Sequence, residues 1–400
     1  MGQLYVDPGR GRETFSFQYD NQWLNNPNAY ILDPDLQLYS WPQFSPDDQR
    51  ELFGVFTDSC PDRWGRMLMK RREFALARAE GREERTLRTS DFLLGVYDQH
   101  RMGGLRFKLD PEGQFLNDDD RLIAPPMTML RDLEHISSKV EENAVDDPEY
   151  LKWLHQLIAP GSSLGGARPK AGVIDPDGQL WIAKFPSTND EHDVGAWEMV
   201  IHKLASQIGF TVPNARIKKF SSNYRTYLSE RFDREGEDRI HFTSAMTMLG
   251  ESDHHEDVSY LDLAEWVSMN CATPKDDLEQ LFGRMVFNVC VSNVDDHLRN
   301  HGFIIGDRGW QLSPLYDVNP SVDGDGLRLN VSHTGNPLDL NLCLEVCKYF
   351  RLSEDQASAI IERVDGITRN YASVAEDIGI PGNEILLMER AFTKRIELVR

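Results

Sequence analysis

Polar and apolar residues alternate over Thr14-Phe15-Ser16-Phe17-Gln18-Tyr19, the period of a half-buried strand. The period then lengthens: from Leu52 to Phe74 apolar residues recur at helical spacing around Trp64, Met67 and Leu68. Arg106-Phe107-Lys108-Leu109, ahead of Asp110-Pro111-Glu112-Gly113, predicts a strand and a turn. Further turn residues, Asn117-Asp118-Asp119-Asp120, lead to Pro125-Pro126, which marks a boundary. Helical spacing resumes at Met127 and runs through a mostly acidic stretch to Ile158, where Pro160-Gly161 stops it.

A Gly/Ser-rich loop follows, Gly161-Ser162-Ser163-Leu164-Gly165-Gly166-Ala167-Arg168-Pro169-Lys170. Ala171 to Ile174 and Gln179 to Phe185 flank the turn Asp175-Pro176-Asp177-Gly178 and predict a hairpin. Val194, Trp197, Ile201, Leu204, Ala205 and Ile208 make one apolar stripe, so 192–208 reads as an amphipathic helix. Val212 to Phe220 and Tyr224 to Phe232 read as strands, and beyond 240 the chain reads as helical except for a hairpin near 302–312. The fold class expected is α+β, bilobed, with a mixed N-terminal part and an all-helical C-terminal lobe apart from that hairpin. The expected division is 1–125, 126–235 and 236–400. A Gly-rich loop, a hairpin ending in a lysine, a helix, strands and a helical half, in that order, are the layout of a two-lobed nucleotide-binding phosphotransferase. Fold alone is a weak guide to activity.

Composition narrows the partners. The 400 residues carry 43 Lys and Arg against 65 Asp and Glu, a net charge of −22, which argues against direct non-specific binding of nucleic acid. Five cysteines (Cys60, Cys271, Cys290, Cys343, Cys347) form no CxxC pair and read as buried reduced thiols. Leu4-Tyr5-Val6 is too short for the apolar part of a signal peptide, and no apolar run approaches a membrane span. A cytoplasmic protein without a membrane partner is the expectation.

The strongest chemical signal is Asn293-Val294-Asp295-Asp296-His297-Leu298-Arg299-Asn300. Asp295 and Asn300 stand five apart, the spacing of the base Asp and the metal-binding Asn in a kinase catalytic loop. An Asp there can take the proton of an attacking hydroxyl, and the Asn can offer a neutral oxygen to Mg²⁺. The hairpin that follows delivers Tyr316-Asp317, a second acid beside the loop. Lys184 ends a strand ahead of a helix bearing Glu198, the pair with which kinases hold nucleotide phosphates. The glycines of 161–170 free backbone N–H groups for phosphate oxygens, although Ala167-Arg168 rules out a Walker A motif. Ser229-Glu230-Arg231-Phe232-Asp233-Arg234 joins the two halves, where backbone can read adenine and Asp233 can take a ribose hydroxyl. Each element alone has an ordinary structural alternative: a helix cap, a solvated lysine, a surface turn, a strand-end salt-bridge cluster. Asp91-Phe92-Leu93-Leu94-Gly95 precedes the loop and the lysine, so it is not a DFG motif, and His254-His255-Glu256-Asp257 reads as a solvated acidic loop.

Taken together, these residues resemble the HipA-like serine/threonine kinases, the toxin partners of type II toxin–antitoxin modules. The resemblance runs from about 51 to 320. It rests on Leu52-Phe53-Gly54, Asp58-Ser59-Cys60-Pro61-Asp62 and Trp64-Gly65, then Ser163 to Lys170, Glu198, and Leu204 to Pro213. Glu230 to Arg234, Asp295 to Asn300, and Leu312 to Asp317 complete it, in the family's order. It implies an ATP- and Mg²⁺-dependent protein kinase with Asp295 as catalytic base and Asn300 and Asp317 as metal ligands. Lys184 then binds ATP phosphates, Glu230, Phe232 and Asp233 hold adenine and ribose, and His297 and Tyr316 line the nucleotide site. Ser163 matches the family's autophosphorylated serine, whose phosphate, about −2 in charge, displaces the loop from its ATP-binding position. The implied partners are a protein substrate, an aminoacyl-tRNA synthetase in that family, and a HipB-like helix-turn-helix antitoxin through which alone DNA is reached. Arg168, Asp296 and Arg299 depart from the family's common residues; Asp296 sets a second carboxylate beside the base, expected to raise its pKa or attract metal. The rival expectations are a non-catalytic nucleotide-binding regulator acting with an antitoxin on DNA, and a kinase acting outside any toxin module. Residues beyond about 320 carry no assignable motif.

Overall fold

The computed structural model describes residues 1–45, 50–117, 124–143, 149–158, 166–252 and 257–399. Ser163 with most of its loop, Asp118 to Asp120 and His254-His255-Glu256 therefore lie outside the described residues.

Strand β1 (Gly2–Pro8) pairs antiparallel with β2 (Glu13–Tyr19), and β2 pairs with the short β3 (Gln43–Phe44). The alternation at 14–19 is the core-facing side of β2: Phe15, Phe17 and Tyr19 are buried with Leu32, Leu36 and Phe53. β1 is an edge strand whose residues are half-buried or exposed, so its sequence carries no marked apolar period. Arg106 to Leu109 is irregular chain, not the expected strand. Its Arg106 is spent on Asp98 and its guanidinium lies on the Phe115 ring, 3.3 Å from the centroid.

The second sheet has the order β4-β5-β7-β6, with β4 Lys170–Ile174, β5 Leu180–Lys184, β6 Ala215–Lys219 and β7 Arg225–Glu230. All three pairings are antiparallel. The β4–β5 turn closes on Gly178, whose φ of +82° suits glycine. The helical stretch 52–74 resolves into Gly54–Asp58 and Arg63–Glu80, and 127–158 into a 3₁₀ turn followed by Leu130–Glu141 and Tyr150–Ile158. The helix Arg63–Glu80 precedes residue 125 in sequence, yet Trp64 and Leu68 share one core with Leu130, Leu154, Val173 and Trp181 of the second sheet and its helices.

Helix Val194–Ile208 lies across β7. Gly195 permits the contact, because a Cβ there would stand 2.2 Å from the Arg225 carbonyl oxygen. Asp193 caps the helix by accepting from Ala196 N (3.1 Å), and it also binds the Arg225 backbone N and guanidinium. After the small β8–β9 ribbon (Arg234–Glu235 and Asp238–Arg239) the chain is mainly helical. Helices Tyr260–Asn270, Pro274–Cys290 and Glu354–Thr368 build the largest core. One sheet interrupts them: β10 (Phe242–Ser244) adds to the expected hairpin, β11 (Gly302–Gly306) and β12 (Gly309–Leu312). All five cysteines are buried and free. Among the described residues no helix is long and apolar enough to cross a membrane.

Candidate active site

Lys184, the last residue of β5, donates to Glu198 Oε1 (2.5 Å) and to Asp317 Oδ1 (2.6 Å). The fold explains the meeting. Gly195 lets the helix settle on β7, and Glu198 follows one turn later, above the end of β5. Asp317 arrives from the other half of the molecule, five residues past β12, with a left-handed φ of +56°. A non-glycine residue held there is an uncommon backbone state that concentrates at functional sites. One cation thus faces two carboxylates in a largely buried place. Burial works against the Lys184 ammonium, but Asp317 and Glu198 outweigh it and hold its pKa above the usual lysine value. Burial would raise Asp317, yet Lys184 outweighs that and takes its carboxyl down to about 2. Glu198 moves the other way, raised by burial. By formal count the cluster sets one cation against two carboxyl groups.

Asn300 stands beside it. Its Nδ2 donates to the Asp295 carbonyl (3.2 Å) and to the Asp317 carbonyl (3.5 Å), and among the described residues Oδ1 has no hydrogen-bond donor. The segment turns out of helix Pro274–Cys290 at Ser292, in the left-handed region and tied by its Oγ to the Ala391 carbonyl. Within it, two adjacent aspartates have opposite surroundings. Asp295 is 79 % exposed. Asp296 is 1 % exposed and accepts from Tyr260 Oη (2.5 Å), while its other oxygen is 2.8 Å from His301 Nε2. The expectation that Asp296 would attract metal is corrected here. Its oxygens are taken up by side chains of the core.

A cleft of about 540 Å³, mouth included, runs from Lys184 to the chain linking the two halves. Phe232 and Tyr316 form its far wall, their rings stacked at 5.6 Å and 29°. Tyr316 Oη donates to the Arg299 carbonyl (2.7 Å). Glu230 lines the same cleft and accepts from Asn214 Nδ2 (2.6 Å). Met102, from the N-terminal part, completes the lining, a contribution that no motif announces. Asp233 borders the cleft, but its carboxylate is engaged in the strand-end salt-bridge cluster that was the alternative expectation for this segment. It is wholly buried, one oxygen on Arg231 Nε (2.6 Å), the other on Arg231 Nη2, Arg234 Nη1 and Gly103 N (2.5–2.7 Å). These cations outweigh the burial and hold its carboxyl at about 2. Asp233 anchors the link to the N-terminal part. His297 lines a second cavity, yet it stands near enough to Asp317 for its charge to help lower that carboxyl.

Two further groups join the parts, and a third holds the end of the Gly-rich loop. Lys170, directly opposite Lys184 in the β4–β5 register, donates to Asp62 Oδ2 at 2.6 Å, and both are almost fully buried. Asp62 also caps helix Arg63–Glu80. Asp58 accepts from Ser244 N and Oγ, each at 2.7 Å. Arg168, at the end of the Gly-rich loop, is paired with Asp190. Among the described residues no group of three or more His, Cys, Asp and Glu is placed to hold a metal ion. Asp317 and Asn300 Oδ1 are a pair of hard oxygen donors in a cluster with more carboxyl groups than cations. That fits Mg²⁺, which takes few protein ligands and keeps waters and phosphates.

Comparison with known proteins places these features in a family. The chain is 29 % identical over 186 residues to the putative kinase Y4mE of Sinorhizobium fredii (40 % of this chain, 42 % of that one). It is 26 % identical over 230 residues to the serine/threonine-protein kinase toxin HipA of Shewanella oneidensis (50 % and 51 %). The chain thus spans about half the length of the curated relatives it matches. The solved structure of Shewanella oneidensis HipA, in complex with HipB and operator DNA, superposes with a TM-score of 0.66 at 17 % identity, over 98 % of this chain and 93 % of that one. The α+β fold is the fold of HipA. Residues 162–371, just over half the sequence, match the HipA-like C-terminal domain, and the chain belongs to that family.

Proposed function

We propose that the protein is an ATP- and Mg²⁺-dependent serine/threonine protein kinase of HipA type, built as 1–125, 126–235 and 236–400. One observation carries the reading: Lys184 joins Glu198 and Asp317 beside Asn300, in a cleft that also reaches the Phe232–Tyr316 wall. Lys184 holds nucleotide phosphates, as strand lysines do in kinases. The stacked Phe232 and Tyr316 rings offer the base one aromatic wall, with Glu230 at its edge. Asn300 and Asp317 would hold Mg²⁺, which neutralises charge on the phosphates when bound. Asp295 faces solvent and takes the proton of the acceptor hydroxyl while that oxygen bonds to the γ-phosphorus. The bond from that phosphorus to the bridging oxygen breaks, and its electron pair leaves with the diphosphate.

The substrate in this reading is a protein, an aminoacyl-tRNA synthetase by family resemblance. The partner is a HipB-like helix-turn-helix antitoxin. The net charge of −22 leaves DNA contact to that partner. Ser163 is the proposed site of autophosphorylation, in a cytoplasmic enzyme. Purified protein incubated with Mg²⁺ and γ-labelled ATP, alone and with lysate, tests the reading beside Asp295→Asn. Label on Ser163 and on a lysate protein, both lost in the variant, is the expected result. ATP binding without any transfer would turn the assignment to a non-catalytic regulator.

A further inference from the structure

The far side of the catalytic segment holds a second cavity, of about 1180 Å³ with its mouth, lined in part by Arg328, His297, Asp257, Asn330, Thr334 and Asn336. None of Lys184, Glu198 and Asp317 reaches it, so it is distinct from the nucleotide cleft. At Met246 and Ser252 it meets another groove, of about 820 Å³, that leads to Leu52 and Gly54 in the N-terminal part. Together they exceed what a small ligand occupies and suit an extended polypeptide.

Arg328 is fixed on the wall of this cavity. Leu327, Leu329 and Val331 alternate into the core, which turns Arg328 outward by strand-like geometry. The backbone around it is tied down: Leu329 N donates to the Asp296 carbonyl (3.0 Å), Leu327 N to Asn336 (2.8 Å), and Asn330 bridges to Ser259. Because Leu329 binds Asp296, the residues before each of them also lie side by side. Arg328 Nη1 is accordingly 3.9 Å from Asp295 Oδ1. Both side chains are more than half exposed, so this contact is weak and readily exchanged. In a chain of net charge −22, a guanidinium at the proposed base is a local feature that draws an anion in.

We propose that Arg328 is an acceptor-recognition residue: it leaves Asp295 to bind an acidic side chain next to the hydroxyl that is phosphorylated. The substrate is then a polypeptide with Asp or Glu flanking its Ser or Thr. The guanidinium fork matches a carboxylate in two parallel hydrogen bonds. Its withdrawal frees the Asp295 carboxylate to face the hydroxyl, so acceptor binding and exposure of the base are one event. A γ-phosphate offers the same anionic oxygens, but it would enter from the Lys184 side of the segment.

This proposal rests on the kinase reading, and the test separates the two. Wild type, Arg328→Glu and Arg328→Lys are each given Mg²⁺-ATP and a serine peptide library scanned with Asp, Glu, Lys and Arg around the acceptor. ATP consumption and the KM for ATP are measured in parallel. Wild type should favour acidic over basic peptides by about tenfold or more in kcat/KM, the worth of a charge-assisted pair. Arg328→Glu should abolish or invert that ratio, and Arg328→Lys should keep most of it. An unchanged ratio in Arg328→Glu overturns the proposal. So does a variant whose only change is a raised KM for ATP, which would assign Arg328 to the γ-phosphate. Wild type that consumes ATP without any acidic preference overturns the proposal and leaves the kinase reading standing. Wild type that neither consumes ATP nor labels any peptide overturns both.

Discussion

Lys184 and Lys170 sit directly opposite each other on paired strands, and each is buried against an aspartate. Like charges in that register repel. Both are tolerated because carboxylates surround them, but the two surroundings differ. Lys170 has one carboxylate, Asp62, and one carbonyl, that of Gly166, and it is 2 % exposed. Its charge is balanced and sealed. Lys184 has two carboxyl groups and borders an open cleft, so by formal count its cluster is unbalanced. A balanced buried pair fastens one part of the chain to another. An unbalanced one is left open for a further cation and its anionic ligand. The same contrast separates exposed Asp295 from enclosed Asp296.

The largest expected effect breaks the open side. Asp295→Asn should lower transfer by roughly 10² to 10⁴, the usual worth of a positioned general base. Its melting temperature should stay within a degree or two, because an exposed side chain contributes little to stability. Rate assays and thermal denaturation on the same preparation check both halves. Retained full activity would remove Asp295 from the mechanism.

Asp62→Ala breaks the sealed side. It strands the Lys170 ammonium and uncaps helix Arg63–Glu80. Losing one partner of a buried pair costs on the order of 3–5 kcal/mol. Denaturant unfolding should report that loss. Transfer per folded molecule should fall far less than in Asp295→Asn. A variant as stable as wild type would mean that the pair is not a fastening. Asp296→Asn should lie between, losing about 2 kcal/mol as its charge-assisted bonds to Tyr260 and His301 weaken. Its fold, measured below its midpoint, should still support transfer.

The open side was the legible one. Asn300, Lys184, Glu198 and Asp317 were singled out by spacing or strand end, and the fold brings these four together. The sealed side was not legible. Asp58, Asp62 and Asp233 look in sequence like any acid near a turn or a strand end, and only the tertiary fold supplies Ser244, Lys170 and Gly103. Asp296 misled for the same reason: a neighbour in sequence is not a neighbour in environment. β1 was silent because its inward face is only Leu4 and Val6, and exposed Tyr5 between them blurs the period. Arg328 had a weak signal, the period-two pattern Leu327-Arg328-Leu329-Asn330-Val331, which reads as a strand with one face outward.

The smallest effect tests the charge imbalance by acid titration. Asp317 is held at about 2, below the ordinary 3.8, chiefly by Lys184 working against burial. A carboxyl whose folded pKa is depressed contributes its full stability above the unfolded value. That contribution is lost as pH falls from about 4 through 2. A shift of nearly two units bounds it at about 2.5 kcal/mol. Comparing wild type with Asp317→Asn from pH 7 to pH 2 reports it, together with the fall in the Glu198 pKa that losing the Asp317 charge brings. The stability difference should be flat down to pH 5 and should shrink as wild type loses its ion pair. A difference that stays constant to pH 2 would mean that Lys184 does not stabilise ionised Asp317. Glu198 would then be the main partner of Lys184, and the imbalance that distinguishes this lysine from Lys170 would not exist in solution.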